Sequence, residues 1–424
     1  MNAADSRRAI EAVWRIERTR LIAGLTPIVR DVGIAEELAQ DALVTALQQW
    51  PVSGIPDRPG AWLMAAAKHR AIDHLRRKKR LERKLKEIGD DIAEEEAVTP
   101  DLDAALDDHL GDDLLRLMFI ACHPILSPEA RVALTLRLLG GLTVAEIARA
   151  FLTPEPTIQQ RIVRAKRTLA EARIPFEVPR GEELAARLSS VLAVIYLIFN
   201  EGYAATSGDD WMRPQLCEEA LRLGRILAEL ARGEPEVHGL VALMEIQASR
   251  FGARSNASGE PVLLLDQNRA RWDHLLIRRG LAALERAEAQ ANALAQKPGP
   301  YALQAAIAAC HARAGTAEET DWTKIAAFYA ALAEQAPSPV VELNRAVALS
   351  FAIGPGAGLQ VVDALVAERS LENYHLLPGV RGDLLVKLGR HEEARSEFER
   401  AAALTRNARE RALLLDRAKA CADA

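Results

Sequence analysis

The sequence predicts an all-α protein: two small helical domains, the second a helix-turn-helix, followed by an α-helical repeat domain. Two observations carry that expectation. Aromatic residues are only 4% of the 424, whereas Ala, Leu, Glu and Arg are abundant and β-branched runs are few. Apolar residues also recur at helical spacing in segment after segment, separated by Pro- and Gly-marked breaks. A chain of this length exceeds a single core, so two or three domains are expected.

Composition narrows the function classes. No apolar run reads as long enough to span a membrane, and the N-terminus lacks the apolar core of a secretory signal. Cys122, Cys217, Cys310 and Cys421 are far apart and read as free buried thiols of a reducing cytoplasm. The nine histidines form no HExxH pattern, and no metal or cofactor is expected. The net charge of −5 is segregated along the chain. Residues 1–80 carry +5, residues 81–115 carry −10, residues 116–180 carry +5 and the remainder −5. Two basic modules thus flank an acidic linker, ahead of a long, mildly acidic module.

Taken in order, residues 7–30 form an amphipathic helix with Ile10, Val13, Trp14, Leu21 and Leu25 inward. A second helix from Ile34 to Trp50 buries Ala39, Leu43, Ala46, Leu47 and Trp50. Its other side presents Glu37, Leu38, Asp41, Val44 and Gln48, an acidic face dotted with apolar residues that suits a protein partner; an ordinary solvated face is the alternative. A loop with three prolines and two glycines spans Pro51 to Gly60. The helix from Ala61 to Arg80 buries Leu63, Met64, Ala67, Ala71 and Leu75 and exposes Trp62, His69, Asp73, Arg76 and Arg77. An aromatic among cations can stack unpaired bases; a solvated basic helix end with Trp62 packed inward is the alternative. Residues 81–113 lose periodicity and read as an acidic linker.

The most informative stretch runs from Leu126 to Ala172. A helix from Pro128 to Leu139 ends at Gly140-Gly141, and Thr143 with Glu146 supplies a capping box for a short helix. Thr153 is the expected cap of the next helix, with Pro154 in its first position. That helix places Ile158, Ile162, Ala165 and Leu169 on one side. Gln160, Val163, Arg164 and Arg167 lie opposite, flanked by Gln159, Arg161 and Lys166. Two helices joined by a tight turn, the second basic and Gln-bearing, describe a DNA-reading unit. Gln can pair with adenine and Arg with guanine or phosphate. A helical hairpin with a solvated basic face remains the alternative.

Beyond a boundary at Pro175 to Gly181 the chain is helix after helix, and the half from Pro179 to Ala424 is expected to fold alone. Gly382, Gly389, Ala394, Phe398 and Ala401 fall at the small and large packing positions of a tetratricopeptide-type hairpin. Glu201, Asp209, Asp266 and Asp273 lie near aromatics but read as helix caps and inter-helix contacts rather than a catalytic pair.

Three segments, AEELAQDALVTALQQW (35–50), PGAWLMAAAKHRAIDHLRR (59–77) and Leu126 to Leu169, together resemble bacterial sigma factors of the extracytoplasmic-function type. YLIFNEGY (196–203), DQNRARWD (266–273), GPYALQAAIAACHA (299–312) and LNRAVAL (343–349) resemble the subgroup with a fused tetratricopeptide-like extension.

The resemblance implies four parts. Residues 1–80 would be sigma region 2, 81–113 a linker, 114–178 sigma region 4 and 179–424 a regulatory or interaction domain. Glu37, Leu38 and Asp41 would dock on the β′ clamp of core RNA polymerase, with the β flap as a further contact. Trp62, Asp73, Arg76 and Arg77 would act at the minus-ten element of promoter DNA. Thr157, Gln159, Gln160, Arg161, Val163, Arg164 and Arg167 would enter the major groove at minus thirty-five. The polymerase would do the chemistry, and the sigma factor itself would not be an enzyme. A protein or small molecule would be the partner of the repeat domain. Two rival readings stand beside this one: a helix-turn-helix regulator that senses a ligand or protein without docking on polymerase, and an enzyme built on the helical half.

Overall fold

The computed structural model describes residues 3–88, 110–151, 153–205, 212–256, 259–369 and 371–422. Among these residues all regular structure is helical apart from one isolated bridge between Ser255 and Pro261. They separate into two compact units, residues 1–194 and 195–424.

Unit 1 begins with α1 (Ala3–Val29), α2 (Val32–Ser53) and α3 (Pro59–Ile88), which pack pairwise. Arg30 takes a positive φ of 53° to turn the chain out of α1. Asp31 then caps α2, its carboxylate accepting from the amides of Gly33 at 2.7 Å and Ile34 at 3.0 Å. Gly54, at φ 84°, ends α2. Ile10, Leu21, Leu25, Leu63 and Trp50 are buried here. Val13, Trp14, Leu43, Leu47, Met64 and Leu75, expected inside, are only half-buried. α3 continues to Ile88, so residues 81–88 of the expected linker belong to it; residues 89–109 lie outside the described residues.

α4 (Leu110–Ala121) packs on α1 and leads into α5 (Pro128–Leu138), α6 (Val144–Ala150) and α7 (Glu155–Glu171). The capping box of α6 is present, with Glu146 accepting from the Thr143 amide at 2.7 Å. The start of α7 differs from expectation. Pro154 is the N-cap, no side chain caps the helix, and the Thr153 hydroxyl instead donates to the Phe151 carbonyl at 3.1 Å. Pro156 in the first turn needs no amide partner there, so the helix tolerates the missing cap.

α8 (Glu182–Tyr203) straddles the division between the units. The loop around Pro179 is therefore not the unit boundary. Arg187 donates to the Phe119 carbonyl at 3.0 Å and Ser190 to the Cys122 carbonyl at 2.6 Å, tying the start of α8 to α4. Residues 183–203 also correct the reading that no run could cross a membrane. The helix there is 21 residues long and holds an 18-residue window of mean hydropathy 1.5, long and apolar enough by composition. Half of that stretch is buried inside the protein, as in a core helix.

Unit 2 continues through α9 (Pro214–Leu230), α10 (Pro235–Ala248), α11 (His274–Ala293), α12 (Pro300–Arg313), α13 (Trp322–Gln335) and α14 (Pro339–Ala352). It ends with α15 (Pro355–Ala367), α16 (Leu376–Lys387), α17 (His391–Leu404) and α18 (Ala408–Ala422). Most helices pack chiefly on sequence neighbours, the arrangement of a stacked array, while α12 packs chiefly on α10 across α11. Four of the five repeat positions read from the sequence are packed; the fifth, Gly389, is exposed and turns the chain after α16 at φ 73°. Ala394, Phe398 and Ala401 are fully buried, and a Cβ on Gly382 would lie 2.8 Å from the Phe398 ring. Asp273 caps α11 and Glu201 pairs with Arg213, structural roles for both; Asp266 is exposed, and Asp209 lies outside the described residues.

Candidate nucleic-acid interface

α7 is amphipathic in the sense the sequence predicts. Ile158, Ile162, Ala165 and Leu169 are buried, holding the helix on α5 and α6. Gln159, Gln160, Val163, Arg164 and Arg167 are exposed, while Thr157 and Arg161 are half-buried at the margins. Val163 is 57% exposed, an apolar group kept in solvent on an otherwise polar face. Arg167 reaches only Glu171, one turn on, at 3.1 Å. Such surface pairs are weak and easily exchanged for another anion.

On α3, Asp73, Arg76 and Arg77 are exposed, and Lys78, Lys79 and Arg80 extend the cationic run. Trp62 is half-buried. Its ring stands edge-on to the buried Trp50, with centroids 5.2 Å apart at 65°. Trp62 is thus partly packed inward while its cationic neighbours face solvent. Arg70 links α3 to α2 through the Thr45 hydroxyl at 2.5 Å.

The acidic face of α2 is narrower than expected. Glu37, Asp41, Val44 and Gln48 are exposed, but Leu38 is 7% exposed and joins the buried stripe of Ala35, Ala39, Ala42 and Ala46; α2 also packs on α7. The group that organises this contact is Glu36, which sequence reading missed. Its carboxylate accepts from Arg18 of α1 at 2.6 Å, pairs with Arg137 of α5 at 2.8 Å and bonds Lys166 of α7. Glu36 is 2% exposed. Burial opposes its ionisation, yet the Lys166, Arg137 and Arg18 charges outweigh this and hold the carboxyl below its ordinary range. Lys166, read as flanking the exposed face, is therefore turned toward α2. Its signal was faint: four residues after Ile162 and three before Leu169, it edges the apolar stripe.

No group of three or more His, Cys, Asp or Glu side chains that could hold a metal occurs among the described residues. Cys122, Cys217 and Cys310 are free and buried, and burial pushes the Cys122 thiol up to about 11.

Comparison with known proteins accounts for these faces. Residues 15–81 match sigma-70 region 2 and residues 116–169 match sigma-70 region 4. The two regions support function as an RNA polymerase sigma factor, similar to those of the extracytoplasmic-function type. A probable sigma factor of this type, SigI of Mycobacterium tuberculosis, is 29% identical over 172 residues, 40% of this chain and 57% of SigI. SigK of Mycobacterium sp. (strain KMS) is 28% identical over 162 residues, 36% of this chain and 77% of SigK. An uncharacterized protein of Rhizobium meliloti (strain 1021) is 45% identical over 400 residues, 94% of this chain and 92% of that protein. Residues 187–288 match a family of unknown function that follows the two sigma regions here. Yeast Tom70 aligns over 99% of this chain and 85% of its own with a TM-score of 0.36 and 11% identity, a likeness too slight to bear on the extension. As a sigma factor, the protein has core RNA polymerase and promoter DNA as partners.

Proposed function

We propose that this sigma factor reads the minus-thirty-five element through α7, using Thr157, Gln159, Gln160, Arg161, Val163, Arg164 and Arg167. The observation that carries this reading is the division of α7. Its apolar stripe is buried while Gln159, Gln160, Val163 and Arg164 stand together in solvent at helical spacing. Asp73, Arg76 and Arg77 on α3, with Trp62 at its start, act at the minus-ten element, where Trp62 leaves Trp50 to stack on an unpaired base. Glu37 and Asp41 dock on the β′ clamp of polymerase, with the buried Leu38 supporting the helix behind them. A further contact with the β flap falls to the second sigma region. The factor works in the cytoplasm, and the polymerase performs the chemistry.

The Glu36 cluster supports a second part of this reading. Elements at minus ten and minus thirty-five lie about 25 base pairs apart, roughly 85 Å along B-DNA. α2 and α7 share one buried carboxylate, so the described arrangement is the polymerase-free state. Docking on polymerase separates them.

Run-off transcription on the gene's own upstream region, with purified core polymerase, tests the assignment. The Glu37→Lys/Asp41→Lys variant should bind core polymerase at least tenfold more weakly and lose transcript in proportion, because the acidic contact becomes repulsive. Co-elution at wild-type affinity would remove the docking assignment.

A further inference from the structure

The C-terminal ends of α14 and α16 meet at the surface of unit 2. Phe351, in the last turn of α14, stacks on Trp322 of α13 with ring centroids 4.2 Å apart at 14°. The Lys387 ammonium, at the end of α16, rests on the same ring 3.6 Å from its centroid. An indole and an ammonium at these distances cannot share one face of a ring. Both faces of Phe351 are therefore taken, and its edge meets solvent. Ile353, just past it in the chain, is 73% exposed, and Leu388, next to Lys387, is exposed as well. A Cβ on Gly354 or Gly356 would meet nothing within 4 Å, so the turn after Ile353 leaves its backbone open to close approach.

The charge at this surface is unbalanced. Other cations on neighbouring helices hold carboxylates: Arg345 pairs with Glu342 at 2.6 Å, Arg381 with Asp363 and Glu397 at 2.9 Å each, and Arg390 with Glu393 at 2.7 Å. Lys387 has no such partner among the described residues. Partial burial against Phe351 pushes its ammonium below the usual lysine range, and no carboxylate offsets that. Exposed aliphatic groups beside a partly desolvated, uncompensated ammonium complement a chain segment that offers aliphatic side chains next to a carboxylate. Nucleic acid fits poorly here. Phe351 has no free face on which a base could stack, and one ammonium cannot track a phosphate backbone.

We propose that the ends of α14 and α16 form a docking surface for an acidic, aliphatic-bearing peptide segment of a second protein, with Ile353 and Leu388 receiving its aliphatic side chains and Lys387 its carboxylate. No residue of this surface belongs to the polymerase or promoter contacts, so its occupancy and promoter reading are separable.

The test uses the full chain, immobilised, as bait for a displayed library of random peptides of about 12 residues. Peptides that also bind an Ile353→Asp/Lys387→Glu double variant are removed first, which discards those drawn to the basic faces of α3 and α7. The survivors should carry Asp or Glu within a few positions of Leu, Ile or Phe. Made as labelled synthetic peptides and titrated by fluorescence anisotropy, they should bind the Ile353→Asp and Lys387→Glu single variants at least about tenfold more weakly than the parent. Lys387→Arg keeps the charge and should bind within about threefold of the parent. Lys419→Glu, an exposed position on α18, should bind as the parent does. A lysine that merely packs on Phe351 would shift the unfolding midpoint on replacement and leave peptide binding unchanged. Ile353→Asp, at a position open to solvent, decides the matter if Lys387→Glu disturbs the ring stack. An empty selection, survivors without acidic residues, or survivors that bind Ile353→Asp as tightly as the parent would overturn the proposal.

Discussion

The two units offer contrasting examples of how helices meet. In unit 1, α2 and α7 meet through charge, one buried carboxylate serving cations from α1, α5 and α7. In unit 2, α10 meets α12 and α14 meets α15 through missing side chains. A Cβ on Gly239 would fall 2.7 Å from the Ala302 backbone, and one on Gly358 2.6 Å from the Ala346 carbonyl. A contact made by close approach has one geometry and resists change. A contact made by ions can be exchanged for water, polymerase or phosphate. The unit that must rearrange on its partners is the one held by ions.

The largest effect that would sharpen this contrast is expected at Phe398, fully buried against Gly382. Phe398→Ala should destabilise unit 2 by about 3–5 kcal/mol in denaturant unfolding, with transfer and cavity terms adding. A loss below about 1 kcal/mol would mean that the array relaxes freely and is no stiffer than unit 1.

Next comes Glu36→Gln, which leaves Arg18 at 5% exposure facing Arg137 without compensation. A loss of about 3 kcal/mol in unit 1 follows, together with faster proteolytic nicking between α6 and α7. The pH dependence has a definite sign. The carboxyl is depressed in the folded state, so its contribution is present above the ordinary carboxylate value of about 4.3 and fades as pH falls through the depressed one. Parent and variant should therefore differ fully at neutral pH and converge on acidification below about pH 4. A difference that persists in acid would show that hydrogen bonding, not charge, holds α7.

The smallest effects on stability are expected on the exposed side of α7. Gln160→Ala and Arg167→Ala should each change folding by less than about 0.5 kcal/mol. Their effects on DNA should differ. Gln160→Ala should cost about 1–3 kcal/mol of base preference in selection from a randomised upstream element. Arg167→Ala should weaken all sequences alike and reduce the salt slope by about one. Identical selection profiles for parent and Gln160→Ala would remove the base-reading role.

Local chemistry was legible before any coordinates. Thr143 and Glu146 cap α6 as their three-residue spacing requires, and Ile158, Ile162, Ala165 and Leu169 bury together because their period is helical. Gly382 and Phe398 meet as the repeat offsets predict. What escaped depends on partners distant in the chain. Glu36 sits 130 residues from Lys166, and nothing in the local pattern distinguishes it from the exposed Glu37 beside it. Leu38 was placed outside because the buried stripe of α2 is wider than its spacing suggested, taking in Ala35, Leu38 and Ala39 together. The loop near Pro179 was a true break in helix but not in packing, since Arg187 and Ser190 reach back to α4. A cut after Arg180 would therefore strip unit 1 of contacts it uses.

The Lys166–Glu36 bond also bears on how the protein spends its time among decoys. A chromosome presents on the order of 10⁶–10⁹ nonspecific sites, and a free cationic helix is drawn to all of them by counterion release. While its ammonium rests on Glu36, Lys166 releases no counterions from DNA, and the helix beside it stays committed to its own chain. Each phosphate contact withheld in this way lowers the logarithmic salt slope by about 0.9. A single carboxylate thus acts as an internal stand-in for one phosphate, while Arg164 and Arg167 on the same helix stay exposed.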